Sequence, residues 1–359
     1  MQKEVANFSV SFVQVLDESG KVDKELMPKI SDQQLVSLYE WMVLTRLFDE
    51  KCVNLQRQGR LLTYAPMKGQ EATIIGSSFV LDKDDWMVPC FRESGAFLVR
   101  GFPMEMLLQY WGGDERGMKI PEGVNTLPIA IPVGTQTLHA TGIGFALKYK
   151  KEKAAVIAYF GDGATSEGDV HEALNFAGVL QLPVVFVCQN NQWAISVPLK
   201  QQTASQTLAQ KGFAYGFSNC VQVDGNDVLA VVKTVQDALV RARAGKGPSF
   251  IECVTYRLSN HTTADDYHKY RSDAEVVAWS KKDPIVRLQK LLLSKKLWSD
   301  SYEKELWGRL AKQVDDAVKK YESLPPADPL DIFKFMYAQM TPALEEQMRS
   351  LKQELGGGL

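Results

Sequence analysis

Apolar positions along this chain fall into three patterns. Residues 154–160 (AAVIAYF) are apolar throughout, and a second run, rich in Val, ends at Asn190 and Asn191. Continuous runs of that length predict strands buried on both faces of a parallel sheet. Residues 220–224 and 248–257 predict two more. The second pattern repeats at helical spacing. It predicts a helix from Ser31 to Arg57 with Ser31 as N-cap, and others over 66–80, 137–150 and 226–244. The third pattern begins at Asp283, where the chain is helical and charged until Pro325-Pro326 breaks it. Segments without period lie between: an extended arm over 1–30, a Gly- and Pro-rich stretch from Gly112 to Gly134, and a polar stretch over 258–275. Strands alternating with helices predict an α/β fold, a mostly parallel sheet flanked by helices. The expected divisions are the arm (1–30), an α/β domain (31–320) and a helical tail (321–359). Gly356-Gly357-Gly358 reads as a frayed end.

The two apolar runs carry the chemistry. Gly161-Asp162-Gly163 closes the first, 26 residues follow, and Asn190-Asn191 closes the second. That spacing fits one strand–helix–strand crossover. Asp162 and Asn191 then stand on neighbouring loops at one edge of the sheet, where open α/β sheets bind ligands. The glycines permit a tight turn and a close approach of ligand to backbone. Ser166 and Asp169 predict a capping box at the start of a helix that runs to about Leu180. Its free amides would face the turn and favour a phosphate. Asp162 and Asn191 supply oxygens, the ligand type that Mg²⁺ takes from protein beside substrate phosphate. The expectation is a diphosphate bridged to the chain by Mg²⁺. No G-x-G-x-x-G opens a helix after a strand, and no P-loop is present.

Composition narrows the rest. The chain has 359 residues, 45% hydrophobic and 23% charged, with a formal net charge of −2. That is ordinary for an α/β protein and gives no reason to expect nucleic acid as partner. No apolar run reaches the ~20 residues of a membrane span. MQKEVANFSV lacks the regions of a signal peptide. Cys52, Cys90, Cys188, Cys220 and Cys253 lie far apart with no C-x-x-C, as expected of free thiols in a reducing cytoplasm.

Gly-Asp-Gly, a spacer of just under thirty residues and Asn-Asn resemble the thiamine diphosphate motif. Further segments extend the likeness: NLQRQGRLLTYAPMKGQE from Asn54, DVHEALNFAG from Asp169, YRLSNHTTADDYHKYR from Tyr256 and KKDPIVR from Lys281. In this order, over residues 30 to 320, they resemble the α subunits of the E1 component of 2-oxo acid dehydrogenase complexes. The likeness is greatest to the pyruvate-type branch of Gram-positive bacteria. It implies that Asp162, Asn191 and the backbone carbonyl of Trp193 ligate Mg²⁺. It places Phe91 and Arg92 at the diphosphate, where Phe91 replaces a tyrosine and loses its hydroxyl. Ile131 and Val133 would hold the aminopyrimidine ring by their backbone, and Gly163, Ala164 and Arg257 would contact the diphosphate. His261 would face the cofactor as a proton donor or hydrogen-bonding group. Tyr270 and Arg271 would order the loop over the site. Asp114, Glu115 and Arg116 stand where relatives often carry histidines. His139, His171 and His268, and the pair Asp265-Asp266, read as packing, surface or loop residues.

Thiamine chemistry also needs a glutamate to activate the aminopyrimidine, from a second α/β domain that this chain is too short to hold. The resemblance implies that a β subunit supplies it in an α₂β₂ heterotetramer. That assembly would decarboxylate pyruvate and pass the acetyl group to the lipoyl group of an E2 acyltransferase. A branched-chain 2-oxo acid or acetoin as substrate stays open, as does a non-catalytic structural or regulatory subunit.

Overall fold

The computed structural model describes residues 1–356; Gly357 and Gly358, in the expected frayed end, lie outside them. Six strands form one sheet: β1 (Ser11–Val13), β2 (Trp86–Val88), β3 (Val156–Gly161), β4 (Val184–Asn190), β7 (Asn219–Asp224) and β8 (Ser249–Val254). Their order is β1-β7-β8-β4-β3-β2, and every pairing is parallel. A two-stranded hairpin, β5 (Trp193–Ala194) with β6 (Val197–Pro198), stands apart. The α/β architecture with a parallel sheet is therefore as expected.

The sheet follows from its sequence. Val156–Phe160 and Val184–Cys188 have no exposed surface, because helices cover both faces. The aromatic rings of Phe160, Phe186 and Phe250 meet edge to face in the same core. Helix Thr135–Lys150 lies beside β3, and helix Gly168–Val179 packs against that helix. Helix Asp32–Arg57 starts with a capping box: Ser31 Oγ accepts from Gln34 N at 3.2 Å, and Gln34 Oε1 accepts from Ser31 N at 2.8 Å. Each missing cap bond of this kind costs about 1 kcal/mol.

Two differences from expectation have physical causes. The N-terminal arm is tied in rather than merely extended. Asp227 caps helix Val228–Arg243 through Oδ1, while its Oδ2 accepts from the amides of Val15 and Leu16 at 2.6 Å each. That clasp lays Ser11–Val13 along β7 as the edge strand. The expected capping box at Ser166 does not form. Residues Asp162–Ser166 wind into a 3₁₀ turn instead, and the helix begins at Gly168 with Glu167 at its N-cap and no side-chain cap. Thr165, one residue earlier, donates from Oγ1 to the Asp162 carbonyl at 2.8 Å and closes the turn. The amides beside the glycines therefore belong to the turn and not to the long helix.

Residues to Val318 form one compact unit and those from Lys319 a second. Helix Asp300–Glu322 spans the division. The second unit contains a short helix, Asp331–Lys334, and helix Pro342–Glu354, capped by Thr341 with Pro342 in its first turn.

Candidate functional site

Four strands deliver the site. The chain leaves β2 toward Cys90–Arg92, β3 toward Asp162, β4 toward Asn191 and β8 toward Arg257 and His261. All four exits lie at the carboxyl ends of adjacent parallel strands, where the backbone must turn and ligands bind. Register fixes the central pair: Gly161 lies opposite Gln189, and Asn190 opposite Val254. Asp162 and Asn191 each follow directly from such a strand end. Asp162 Oδ1 accepts from the Asn191 amide at 3.1 Å.

A cavity of about 240 Å³ opens there. Among its lining residues are Phe91, Arg92, Val133, Asp162, Gly163, Ala164, Asn191, Trp193 and His261. A β-carbon at Gly163 would stand 3.0 Å from Ala194 Cβ, so only glycine fits beneath the hairpin without a shift. Gln192 (φ 74°) and Ile195 (φ 54°) hold the left-handed conformation that L-residues avoid. Such strain clusters at functional loops. It brings the carbonyls of Trp193 and Ile195 to Arg257, whose Nη1 and Nη2 donate to them at 3.4 and 2.7 Å.

The two ends of the cavity differ in charge. At one end Asp162 is buried, with Oδ2 lacking any hydrogen-bond partner. Burial pushes its carboxyl up to about 6. An unpaired buried carboxylate oxygen is costly unless a cation meets it. At the other end Arg92 and Arg257 both reach His261. Arg92 Nη2 donates to His261 Nδ1 at 2.8 Å and to its carbonyl at 2.7 Å, and Arg257 Nη1 donates to Nδ1 at 3.0 Å. Nδ1 accepts both, so the ring is neutral and its hydrogen is on Nε2. Burial first, then the two guanidiniums, push His261 down to about 3. Burial and the neighbouring Arg257 also lower Arg92, to about 10. A proton-donating imidazolium is thus disfavoured here, whereas a hydrogen-bonding neutral ring is favoured.

Some expected residues stand outside the cavity wall. Arg257 lies behind His261, and its Nη2 also donates to Tyr270 Oη at 3.0 Å. Tyr270 Oη in turn donates to Asp265 Oδ2, which also accepts from the His261 amide at 2.8 Å. Arg271 donates to the carbonyls of Arg257 and Ser259 and lies over the rings of Tyr256 and Tyr267. Tyr270 and Arg271 therefore brace the loop from behind. Ile131 lines a neighbouring cavity of about 490 Å³, with Leu62, Tyr110 and Trp111. Phe91 and His261 border both spaces. Asp114 and Arg116 pair with each other at 2.6 Å, and Glu115 lines the neighbouring cavity.

Sequence reasoning missed several lining residues, notably Gln70, Glu93, Glu167 and Gln189. Glu93 is buried and burial pushes it up to about 7. Its Oε2 accepts from the amides of Cys90 and Arg92 at 2.9 and 3.1 Å, and its Oε1 from Gln189 Nε2. It fixes the turn that presents Arg92, but nothing local in the sequence marks it. His171, expected as packing or surface, supports the Asp162 turn from outside. Its Nε2 donates to the Thr165 carbonyl at 3.1 Å, and Lys211 Nζ donates to the same oxygen at 2.7 Å. Gln202 Nε2 holds the Asp162 carbonyl at 2.8 Å.

The donor set fits one hard divalent cation beside a diphosphate. One orphaned carboxylate oxygen, a nearby carboxamide oxygen and a backbone carbonyl match the few protein oxygens that Mg²⁺ takes when phosphates supply the rest. Among the described residues no cluster of three His, Cys, Asp or Glu has metal-holding geometry, so an all-protein cage is not what this site offers. The five cysteines are free and buried. No helix among the described residues is long and apolar enough to cross a membrane.

The sequence also matches known proteins. The family model for the dehydrogenase E1 component matches residues 39–330. The chain is 46% identical to the 3-methyl-2-oxobutanoate dehydrogenase subunit alpha of Mycobacterium tuberculosis, over 94% of this chain and 92% of that one. It is 44% identical to the pyruvate dehydrogenase E1 component subunit alpha of Acholeplasma laidlawii, over 95% and 99%. Against the protein of that name from Staphylococcus aureus it is 42% identical, over 95% and 93%.

Proposed function

The chain belongs to the dehydrogenase E1 component family, and from that premise we propose that it is the α subunit of a pyruvate dehydrogenase E1. With a β subunit in an α₂β₂ assembly it would decarboxylate pyruvate and acetylate the lipoyl group of an E2 acyltransferase. One observation carries the cofactor reading: the unpaired Asp162 Oδ2, buried in a cavity that also holds Asn191 and borders Arg92. Thiamine diphosphate, when bound, supplies the nucleophilic carbon and the electron sink for breaking the carboxylate bond of a 2-oxo acid.

The chain's own residues have distinct tasks. Asp162, Asn191 and the Trp193 carbonyl would hold Mg²⁺, and Gly163 and Ala164 would let the diphosphate approach the backbone. Arg92 would answer its negative charge, beside Phe91, which offers only a ring. Arg257 acts through others: it fixes the Trp193 carbonyl and the His261 ring. His261, kept neutral with a hydrogen on Nε2, would donate a hydrogen bond into the site and orient an acyl acceptor. Val133 and Ile131 would offer backbone groups to the pyrimidine. Tyr270 and Arg271 would keep the 257–271 loop closed behind it.

What the fold holds supports the reading of a partner. Its six strands make one α/β sheet, and among the described residues the only other sheet is the small hairpin. The glutamate for the pyrimidine would come from the β subunit. A second reading has a specific observation behind it: the Mycobacterium tuberculosis relative, at 46% identity, is named for 3-methyl-2-oxobutanoate. Co-express the chain with its β partner and assay pyruvate and 3-methyl-2-oxobutanoate in parallel. Higher kcat/KM for pyruvate supports the proposal; the reverse order supports the branched-chain reading.

A further inference from the structure

Gln70 lines the cavity and has no exposed surface. Its backbone is fixed from both sides. Gly69 before it has φ 98°, and a β-carbon there would stand 2.4 Å from the Tyr256 carbonyl. The Gly69 carbonyl accepts from Thr255 Oγ1 at 3.0 Å, and the Gln70 amide donates to Met67 O at 3.0 Å. At Gln70 helix Glu71–Ser78 begins. The side chain is fully buried. Its Oε1 accepts from Asn191 Nδ2 at 3.3 Å, and its Nε2 is buried without a partner.

That contact, together with the Trp193 amide, decides which face Asn191 presents. A carboxamide binds a cation only through its oxygen. With Nδ2 engaged by Gln70, Oδ1 must take the other side, where the Trp193 amide approaches at 3.4 Å. Turning Asn191 over alone would set its oxygen against Gln70 Oε1. Turning both amides over would set Asn191 Nδ2 against the Trp193 N–H, donor against donor. Each alternative costs a buried unpaired polar contact. We infer that Gln70 is a positioning residue that selects the oxygen face of Asn191 for the metal. This rests on the reading of the cavity as a metal–diphosphate seat. The free Nε2 then remains as a buried donor for an anionic oxygen in the same cavity.

Groups that orient a metal ligand typically change metal affinity by about 10–100-fold when removed. The probe is Mn²⁺, titrated by electron paramagnetic resonance with thiamine diphosphate into the full chain co-purified with its β partner. Gln70→Met should weaken Mn²⁺ by about 10–100-fold. Gln70→Glu keeps the acceptor and should stay within about threefold of wild type. In an Asn191→Asp background both faces are oxygen, so adding Gln70→Met should cost less than about threefold. A purely structural role for Gln70 would give the same loss in both backgrounds and would overturn the inference. So would Mn²⁺ affinity within about threefold of wild type in Gln70→Met. If Gln70→Met fails to assemble, a loss of more than about tenfold in Gln70→Glu overturns it instead. A wild-type assembly that takes up no Mn²⁺ with thiamine diphosphate overturns both the inference and the cofactor reading beneath it.

Discussion

The two ends of the cavity are built in opposite ways. The oxygen end, Asp162 with Asn191, comes from the two loops of one crossover, 29 residues apart. The nitrogen end joins Arg92 to His261 across 169 residues, with Arg257, Tyr270 and Asp265 behind. At the oxygen end an acid is left unpaired, and at the nitrogen end two guanidiniums share one imidazole nitrogen. Asp162 Oδ2 has no hydrogen-bond partner and the Arg92 guanidinium donates only to neutral groups, so one molecule carrying both a cation and a diphosphate would satisfy both. The oxygen end teaches that a short crossover can place a ligand pair by spacing alone. The nitrogen end requires the whole fold.

The largest effect expected concerns what neither end contains. Given thiamine diphosphate, Mg²⁺ and pyruvate, the isolated chain should release no CO₂ above background, whereas the chain with its β partner should turn over. Sustained release by the chain alone would place the activating glutamate here and remove the need for a partner.

Next in size is the nitrogen end itself. His261→Ala should keep Mg²⁺ and most thiamine diphosphate binding, because the proposed metal ligands Asp162, Asn191 and the Trp193 carbonyl all remain. Activity with a lipoyl acceptor should fall about 10²–10³-fold, the range for removing one aimed hydrogen-bond donor. Decarboxylation followed with an artificial electron acceptor should fall less if the task is confined to acyl transfer. Equal losses would move His261 into cofactor orientation, and no loss would remove it from the site.

The neutral ring also has a pH signature. The folded value of His261 is about 3, below the ordinary 6.5. Between those values the unfolded chain binds a proton that the folded chain does not, so stability rises with pH there. The contribution is present above 6.5 and is lost as pH falls toward 3. Glu93 and Asp162 have raised values of about 7 and 6 and act with the opposite sign, so the comparison must be differential. Urea unfolding of wild type and His261→Gln over that interval should give a shallower fall for the variant on acidification. Parallel curves would mean that the ring is charged in the folded chain.

The smallest effect lies behind the oxygen end. Lys211→Met removes the cationic donor that holds the Thr165 carbonyl, while His171 and Gln202 still support the turn. Thiamine diphosphate affinity should fall by roughly fivefold, about 1 kcal/mol. A calorimetric loss of more than a hundredfold would make Lys211 part of the site rather than a brace.

This contrast also explains what could be read from the residues. The buried strands β3 and β4 announce themselves, because a parallel strand covered on both faces must be apolar throughout. Strand β2 has only three residues, Trp86–Val88, too few to show a period. Helices Ser94–Val99 and Met104–Trp111 are similarly short. Ser166 carries a capping sequence, yet the 3₁₀ turn takes it before the helix begins. Glu93 is invisible for a different reason: its partners are two backbone amides and Gln189, 96 residues away. Arg92, Arg257 and His261 came from family likeness and not from spacing. Gln70 had one local signal, the glycine before it at a helix start, but its contact with Asn191 spans 121 residues.

The central claim is that one cavity seats a metal-bridged diphosphate at Asp162. Calorimetric titration of thiamine diphosphate into the co-purified assembly, with and without Mg²⁺, tests it most directly. Wild type should bind only with Mg²⁺. Asp162→Ala should lose that binding by several kcal/mol, the range for breaking a paired buried charge. Its melting temperature without cofactor should change little, since relief of the unpartnered Oδ2 is offset by the loss of the acceptor for the Asn191 amide. Near-wild-type, Mg²⁺-dependent affinity in Asp162→Ala would contradict the account.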